Sequence, residues 1–198
     1  MSRSLFLTTT ALVALGLPGV AAAATCGSSV VGGNPVLTCD QPATDPVNDV
    51  SDNLTVNVTS GADVTSTDKD VAALELNGTD VTVNNAGTIQ NTDTDKDANA
   101  ISGIGGTLTV NNSGTIHSGD RAIHMLDGFT GGLTVVNEAT GVITSRRQTI
   151  RTEEAAPNST IENHGLISSL EGRAIQIRGQ GSSVVNHGTI EGGEEVIE

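Results

Sequence analysis

Residues 110–125 read VNNSGTIHSGDRAIHM: Asn, a spacer, Gly, a spacer, Ile, and then a second apolar pair, Ala122-Ile123. A close variant, VVNHGTIEGGEEVI, occupies residues 184–197. Aligned on the glycine, the motif recurs at Gly61, Gly87, Gly114, Gly141, Gly165 and Gly188, with spacings of 26, 27, 27, 24 and 23 residues. Self-similarity at such a period is the mark of a solenoid, in which each repeat packs only on its neighbours.

Each unit holds three short apolar runs. The first is VTVNN (81–85), LTVNN (108–112), LTVVN (133–137), TIEN (160–163) and VVN (184–186). The second centres on Ile89, Ile116, Ile143, Ile167 and Ile190. The third holds Ala73-Leu74, Ala100-Ile101, Ala122-Ile123, Thr149-Ile150, Ala174-Ile175 and Val196-Ile197. Short β-branched runs that alternate with polar residues predict half-buried strands. Three strands per coil predict an all-β fold, a right-handed parallel β-helix of about six coils.

Coils in such a stack lie about 4.8 Å apart, so equivalent side chains fall above one another. Ile89, Ile116, Ile143, Ile167 and Ile190 then form a column inside the tube, each contributing roughly 1.5–3 kcal/mol of burial. Asn85, Asn112, Asn163 and Asn186 stand two residues before their glycine; Asn137 stands four before Gly141, because NEATG inserts two residues. Asn and Gly suit a corner because both tolerate left-handed backbone. Stacked, the five asparagines predict a ladder of amides that donate and accept along the axis. Hydrophilic turns alone would explain each residue type but not its fixed spacing to Ile.

Outside the repeats, residues 1–24 carry Arg3, an apolar run broken by Gly16 and Pro18, and a terminal AAAA. This predicts a signal peptide cleaved after Ala24; the run is too short, and too rich in helix breakers, for a membrane span. Thr25 before Cys26 argues against a lipoprotein. Cys26 and Cys39 are the only cysteines, and an exported chain predicts their disulfide. Without Arg3 the chain has 8 cations against 23 acids, a formal charge of −15. Nucleic acid and anionic lipid are poor partners for such a surface, and no nucleic acid is expected. Phe129 is the one aromatic outside the leader, so the core must come from Val, Ile, Leu and Ala in narrow layers.

Residues 25–50, rich in Gly, Pro, Asp and Thr, are expected to cap the first coil, and repeats are expected over 51–198. End coils need cover because an open strand edge invites pairing. The C-terminal EEVIE reads as a third-run strand without such cover, which predicts truncation of a longer natural product. Loops vary in length between the second and third runs, from QNTDTDKDANA to HSGDRA, and variable loops on a rigid scaffold are where binding would sit.

The AAAA leader end, the early cysteine pair and the serial NNAGTI, NNSGTI, NHGLI and NHGTI followed by AI resemble the N-terminal passenger region of bacterial autotransporters. The resemblance covers roughly residues 25–198. It implies export through the periplasm to the cell surface, display or adhesion toward a host-cell or matrix ligand, and a C-terminal translocator barrel in the full-length protein. No lipid-facing barrel strands occur in this sequence.

The loops and corners also carry residue types that do chemistry in other folds of this kind. Parallel β-helices include polysaccharide lyases and hydrolases, which use carboxylate-bound calcium beside a basic residue. Asp93, Asp95 and Asp97, with Arg121, Arg146, Arg147, Arg151, Arg173 and Arg178, are the matching types. Missing aromatic platforms, and the placement of acids and arginines in different coils, argue against an enzyme. DTDKDAN starts like a calcium loop, but Ala98 takes the Gly position and Ile104 the final Glu position; the TDKD at residues 67–70 would stack beside it, and solvated loops are expected. Arg121, Gln148 and Arg173 precede the third run in successive coils and are expected to form an exposed row paired with Glu153, Glu154 or Glu171, worth little as surface ion pairs. His164 and His187 should lie side by side, without a third metal ligand. His117 and His124 have no evident partner. Neither a cofactor nor a catalytic set is expected, and a calcium-stabilised surface repeat protein is a further alternative.

Overall fold

A computed structural model describes residues 25–153 and 156–198. The expected signal peptide and Glu154 lie outside them. Among the described residues every regular element is a strand. They form three sheets wound as a parallel β-solenoid of about six coils.

The first sheet runs β1 (Gly27–Val31), β2 (Asn34–Cys39), β4 (Thr55–Val58), β7 (Val81–Asn85), β10 (Leu108–Asn112), β13 (Leu133–Asn137), β16 (Thr160–Asn163) and β19 (Ser183–Asn186). The second stacks β5 (Asp63–Ser66), β8 (Thr88–Asn91), β11 (Thr115–Ser118), β14 (Val142–Ser145), β17 (Leu166–Ser169) and β20 (Thr189–Glu191). The third stacks β3 (Val47–Asp49), β6 (Leu74–Leu76), β9 (Asn99–Gly103), β12 (Arg121–Met125), β15 (Ile150–Thr152) and β18 (Ile175–Gln176).

Register follows the sequence motif residue for residue. Val64, Ile89, Ile116, Ile143, Ile167 and Ile190 pair in series along the second sheet, buried as far as Ile167, with Ile190 half-buried against the same core. Val56, Val83, Val110, Val135, Ile161 and Val184 form the matching column of the first sheet. Leu74, Ile101, Ile123, Ile150 and Ile175 form that of the third, extended by a bridge to Ile197.

Parallel stacking begins earlier than residue 51. Strand β2 pairs with β4, Thr44 bridges to Val64, and β3 pairs with β6, so residues 34–49 already supply one strand or bridge to each sheet. Before them, β1 and β2 form an antiparallel hairpin whose turn places Gly32 at φ +60° and Gly33 at φ +91°. Two consecutive left-handed residues make the turn that matches strand twist. The Cys26–Cys39 disulfide closes the open end of this hairpin.

Asn85, Asn112, Asn137, Asn163 and Asn186 share one register position. Each Nδ2 donates to the next Oδ1 at 2.8 Å, from Asn85 through to Asn186. The first four are buried inside the corner. They also satisfy backbone that turns there: Asn85 donates to the Thr115 carbonyl (3.0 Å) and accepts from Gly87 N–H (3.2 Å).

The corner glycines serve close approach rather than left-handed backbone. Of the six, only Gly61 has a positive φ, +84°. A Cβ on Gly114 would collide with the carbonyl of Gly87, and one on Gly188 with that of Gly165. Coils one strand spacing apart leave no room there for a side chain.

Candidate functional site: the outer face of the third sheet

From β4 to β17 the strands of the first two sheets alternate buried positions with half-buried or exposed ones, as a solvated outer face dictates. Strands β9 and β12 are buried at every position. Alternation turns the residue after each core aliphatic away from the tube, which aligns Glu75, Ser102, His124, Arg151 and Gln176 on the outer face. Ser102, His124 and Gln176 are buried in this row, and Glu75 and Arg151 are half-buried. Gln176 Nε2 donates to Glu198 Oε2 (2.6 Å).

His124 is 7% exposed. Burial, reinforced by the charge of Arg121, pushes its pKa down to about 4, so the imidazole is neutral at pH 7. Its Nε2 lies 3.3 Å from Glu153 Oε1; a carboxylate only accepts, so Nε2 carries the proton and Nδ1 is left as a bare acceptor. Glu153 also meets Arg151 Nη2 (2.8 Å) and Arg178 Nη1 (3.5 Å). Burial works to raise the Glu153 pKa, but the His124 hydrogen bond and the two guanidinium charges outweigh it and hold the carboxyl low.

Where the sheet begins, Asp120 is completely buried. Its Oδ2 accepts from Arg121 Nη1 (2.7 Å) and from Asp97 N–H (2.9 Å), and Arg147 Nη1 approaches Oδ1 at 3.5 Å. Arg121 also reaches Gln148 Oε1 (3.1 Å) and Asp97 Oδ1 (3.5 Å).

Two expectations are corrected here. Arg121 is not part of an exposed row: it is buried on Asp120, because the acid one residue earlier turns into the same corner. Different coils do not separate acids from arginines either, since neighbouring coils touch; Asp97 meets Arg121, and Arg146 Nη1 reaches the Thr94 carbonyl (3.5 Å). Arg173 does sit outside, on Glu195 (3.0 Å) and Glu198 (2.8 Å), and Arg146 pairs with Glu171 (2.9 Å).

The aspartates of the loops are spent locally. Asp93 Oδ1 accepts from Asp95 N–H (2.8 Å), and Asp68 Oδ1 from Asp70 N–H (2.9 Å). Lys69 bonds Asp70, which raises its pKa, with Asp68 and Asp95 adding to the effect. His164 and His187 stack with ring centroids 5.0 Å apart, and His164 bonds Glu162 (2.7 Å). His117 Nδ1 lies 2.9 Å from Thr144 Oγ1. Among the described residues no group of three His, Cys, Asp or Glu side chains is placed to hold a metal ion.

Sequence reasoning passed over several of these groups. Ser102, His124 and Gln176 had one signal, a polar residue directly after each third-run aliphatic; Asp120, which precedes its run, had none. The doubled Asn of VTVNN and LTVNN signalled a second ladder: Asn84 donates to Asn57, and Asn111 to Asn84, at 2.9 Å outside the first sheet. It runs opposite in sense to the inner one.

No protein-family model, curated protein or solved structure matches this chain.

Proposed function

We propose that the chain is the repetitive β-solenoid stalk of an exported passenger of the autotransporter type, serving surface display or adhesion rather than catalysis. The observation that carries this reading is the unbroken register of inner columns and Asn ladder through successive coils. A rod built this way gains length by adding identical units, and its stability is close to a sum over neighbours. The exposed Asp-rich loops lie along its side. Each of the six described arginines is held in an ion pair, which leaves none as a free base of the kind a lyase uses. The C-terminal translocator barrel and a host-cell or matrix ligand belong to the same proposal.

Trypsin treatment of intact cells carrying the native gene tests it. Cleavage after Lys96, in the exposed part of its loop, should release peptides from the cell surface, and N-terminal sequencing of the exported chain should begin at Thr25. Recovery of the protein solely from the cytosol, with residues 1–24 retained, overturns the reading.

A further inference from the structure

Among the described residues, five buried side-chain atoms lack any hydrogen-bond partner: Asn99 Oδ1, Asp120 Oδ1, His124 Nδ1, Arg151 Nε and Gln176 Oε1. All five belong to the third sheet or to the corner that leads into it. Buried polar groups are normally satisfied, and each exception calls for a physical reason. Concentration on one face points to something that this face is built to receive.

An opening of about 360 Å³ lies over this face, lined among others by Lys69, Glu75, Asn99, Ser102, His124 and Leu126. Its origin is in the row of outward residues: small Ser102 stands between Glu75 and His124 in successive coils and leaves a slot between two larger side chains. The charges around the slot largely cancel. Lys69 is held by Asp70, and Asp97 by Arg121. Glu75 pairs with no cation among the described residues and accepts one hydrogen bond, from Asn77 Nδ2 (3.1 Å).

Two residues that line the slot each carry an unbonded acceptor. Asn99, 8% exposed, has its Nδ2 bonded to the Asp97 carbonyl (2.9 Å), so Oδ1 remains. His124 gives its Nε2 edge to Glu153, so Nδ1 is its unbonded atom. With the Glu75 carboxylate, whose one donor is Asn77, this makes three groups with spare acceptor capacity. An –NH₃⁺ group has three donors, no acceptor and a positive charge, and the acidic chain as a whole attracts it.

We propose that this slot binds the primary ammonium group of a small aliphatic amine, with Glu75 supplying the countercharge and Asn99 and His124 the remaining acceptors. The site is independent of whether the rod is displayed on a cell.

The test is a side-chain NMR titration of the isotopically labelled chain beginning at Thr25, with ethanolamine at pH 7. Saturable shifts at Asn99 and at the His124 ring are expected, with a Kd at or below roughly the millimolar scale. Glu75→Gln should weaken binding about tenfold or more through loss of the charged acceptor. Ser102→Val, which fills the slot, should abolish it while the Asn112 amide signals stay in place. Tetramethylammonium, a cation without N–H donors, and glycerol, a donor without charge, should shift neither residue. The proposal is overturned if the shifts do not saturate, if tetramethylammonium reproduces them, if binding survives unchanged in Glu75→Gln, or if a lysine-rich peptide binds where ethanolamine does not.

Discussion

The side-chain amide of Asn112 donates to that of Asn137 at 2.8 Å across a gap of 25 residues in the chain, and both side chains are fully buried. Removing one rung strands its neighbours: Asn112→Ala leaves Asn85 Nδ2 and Asn137 Oδ1 each short of a partner in a dry corner. A loss of about 2–3 kcal/mol is expected by urea unfolding, the cost of orphaned buried polar groups. Asn111→Ala removes a rung of the half-exposed outer ladder, where water substitutes. It should cost about 0.5–1 kcal/mol. Equal losses at the two positions would refute the distinction between the ladders.

Gly114→Ala places a methyl group against the backbone of Gly87 in the previous coil. Backbone cannot yield as a side chain does, so about 1–3 kcal/mol of overpacking is expected. Gly33→Ala meets no atom within 4 Å but must adopt φ +91°, a strain of about 1–2 kcal/mol. Hydrogen exchange separates them: Gly114→Ala should loosen β7 and β10, and Gly33→Ala only the hairpin.

His124 titrates near 4 in the folded chain against an ordinary value of 6.5. Between those values the unfolded chain binds the proton and the folded chain does not, so stability rises with pH across this window. It is fully present above about 6.5 and lost as pH falls toward 4, amounting to a contribution on the order of 3 kcal/mol. His124→Gln should flatten the stability profile between pH 4 and 6.5 and leave the carboxylate-dependent loss at lower pH. A wild-type profile already flat in that window would show that the imidazole is not held neutral.

Asp120 and Arg121 form a buried pair at 2.7 Å. Asp120→Ala leaves the buried guanidinium with only the longer Asp97 contact (3.5 Å) and should cost about 3 kcal/mol, whereas Asp120→Leu combined with Arg121→Met should recover most of that loss. Thermal denaturation of the two variants distinguishes a charge effect from a simple packing defect.

The coil could be read from spacing because one backbone period repeats. Once Ile116 is assigned to the inside, Thr115 and His117 must face out, and every coil inherits the choice. The same logic hid β1 and its antiparallel pairing with β2, since β1 belongs to no repeat and declares itself only through the Gly32-Gly33 turn. It also misplaced Arg121. Spacing shows that a residue precedes the third run; it does not show that Asp120 turns inward at that corner, or that the loop carrying Asp97 closes over both.

The amino-acid sequence by itself determined the solenoid, its three faces, the identity of the core columns and the candidate Asn ladder, since strand alternation and coil repeat are local and periodic. Tertiary structure decided which polar residues leave water. Glu75, Ser102 and His124 look like ordinary outward positions along the chain. Only packing over the third sheet buries Ser102 and His124 while leaving Glu75 half-exposed, and brings Glu153 to one edge of the imidazole.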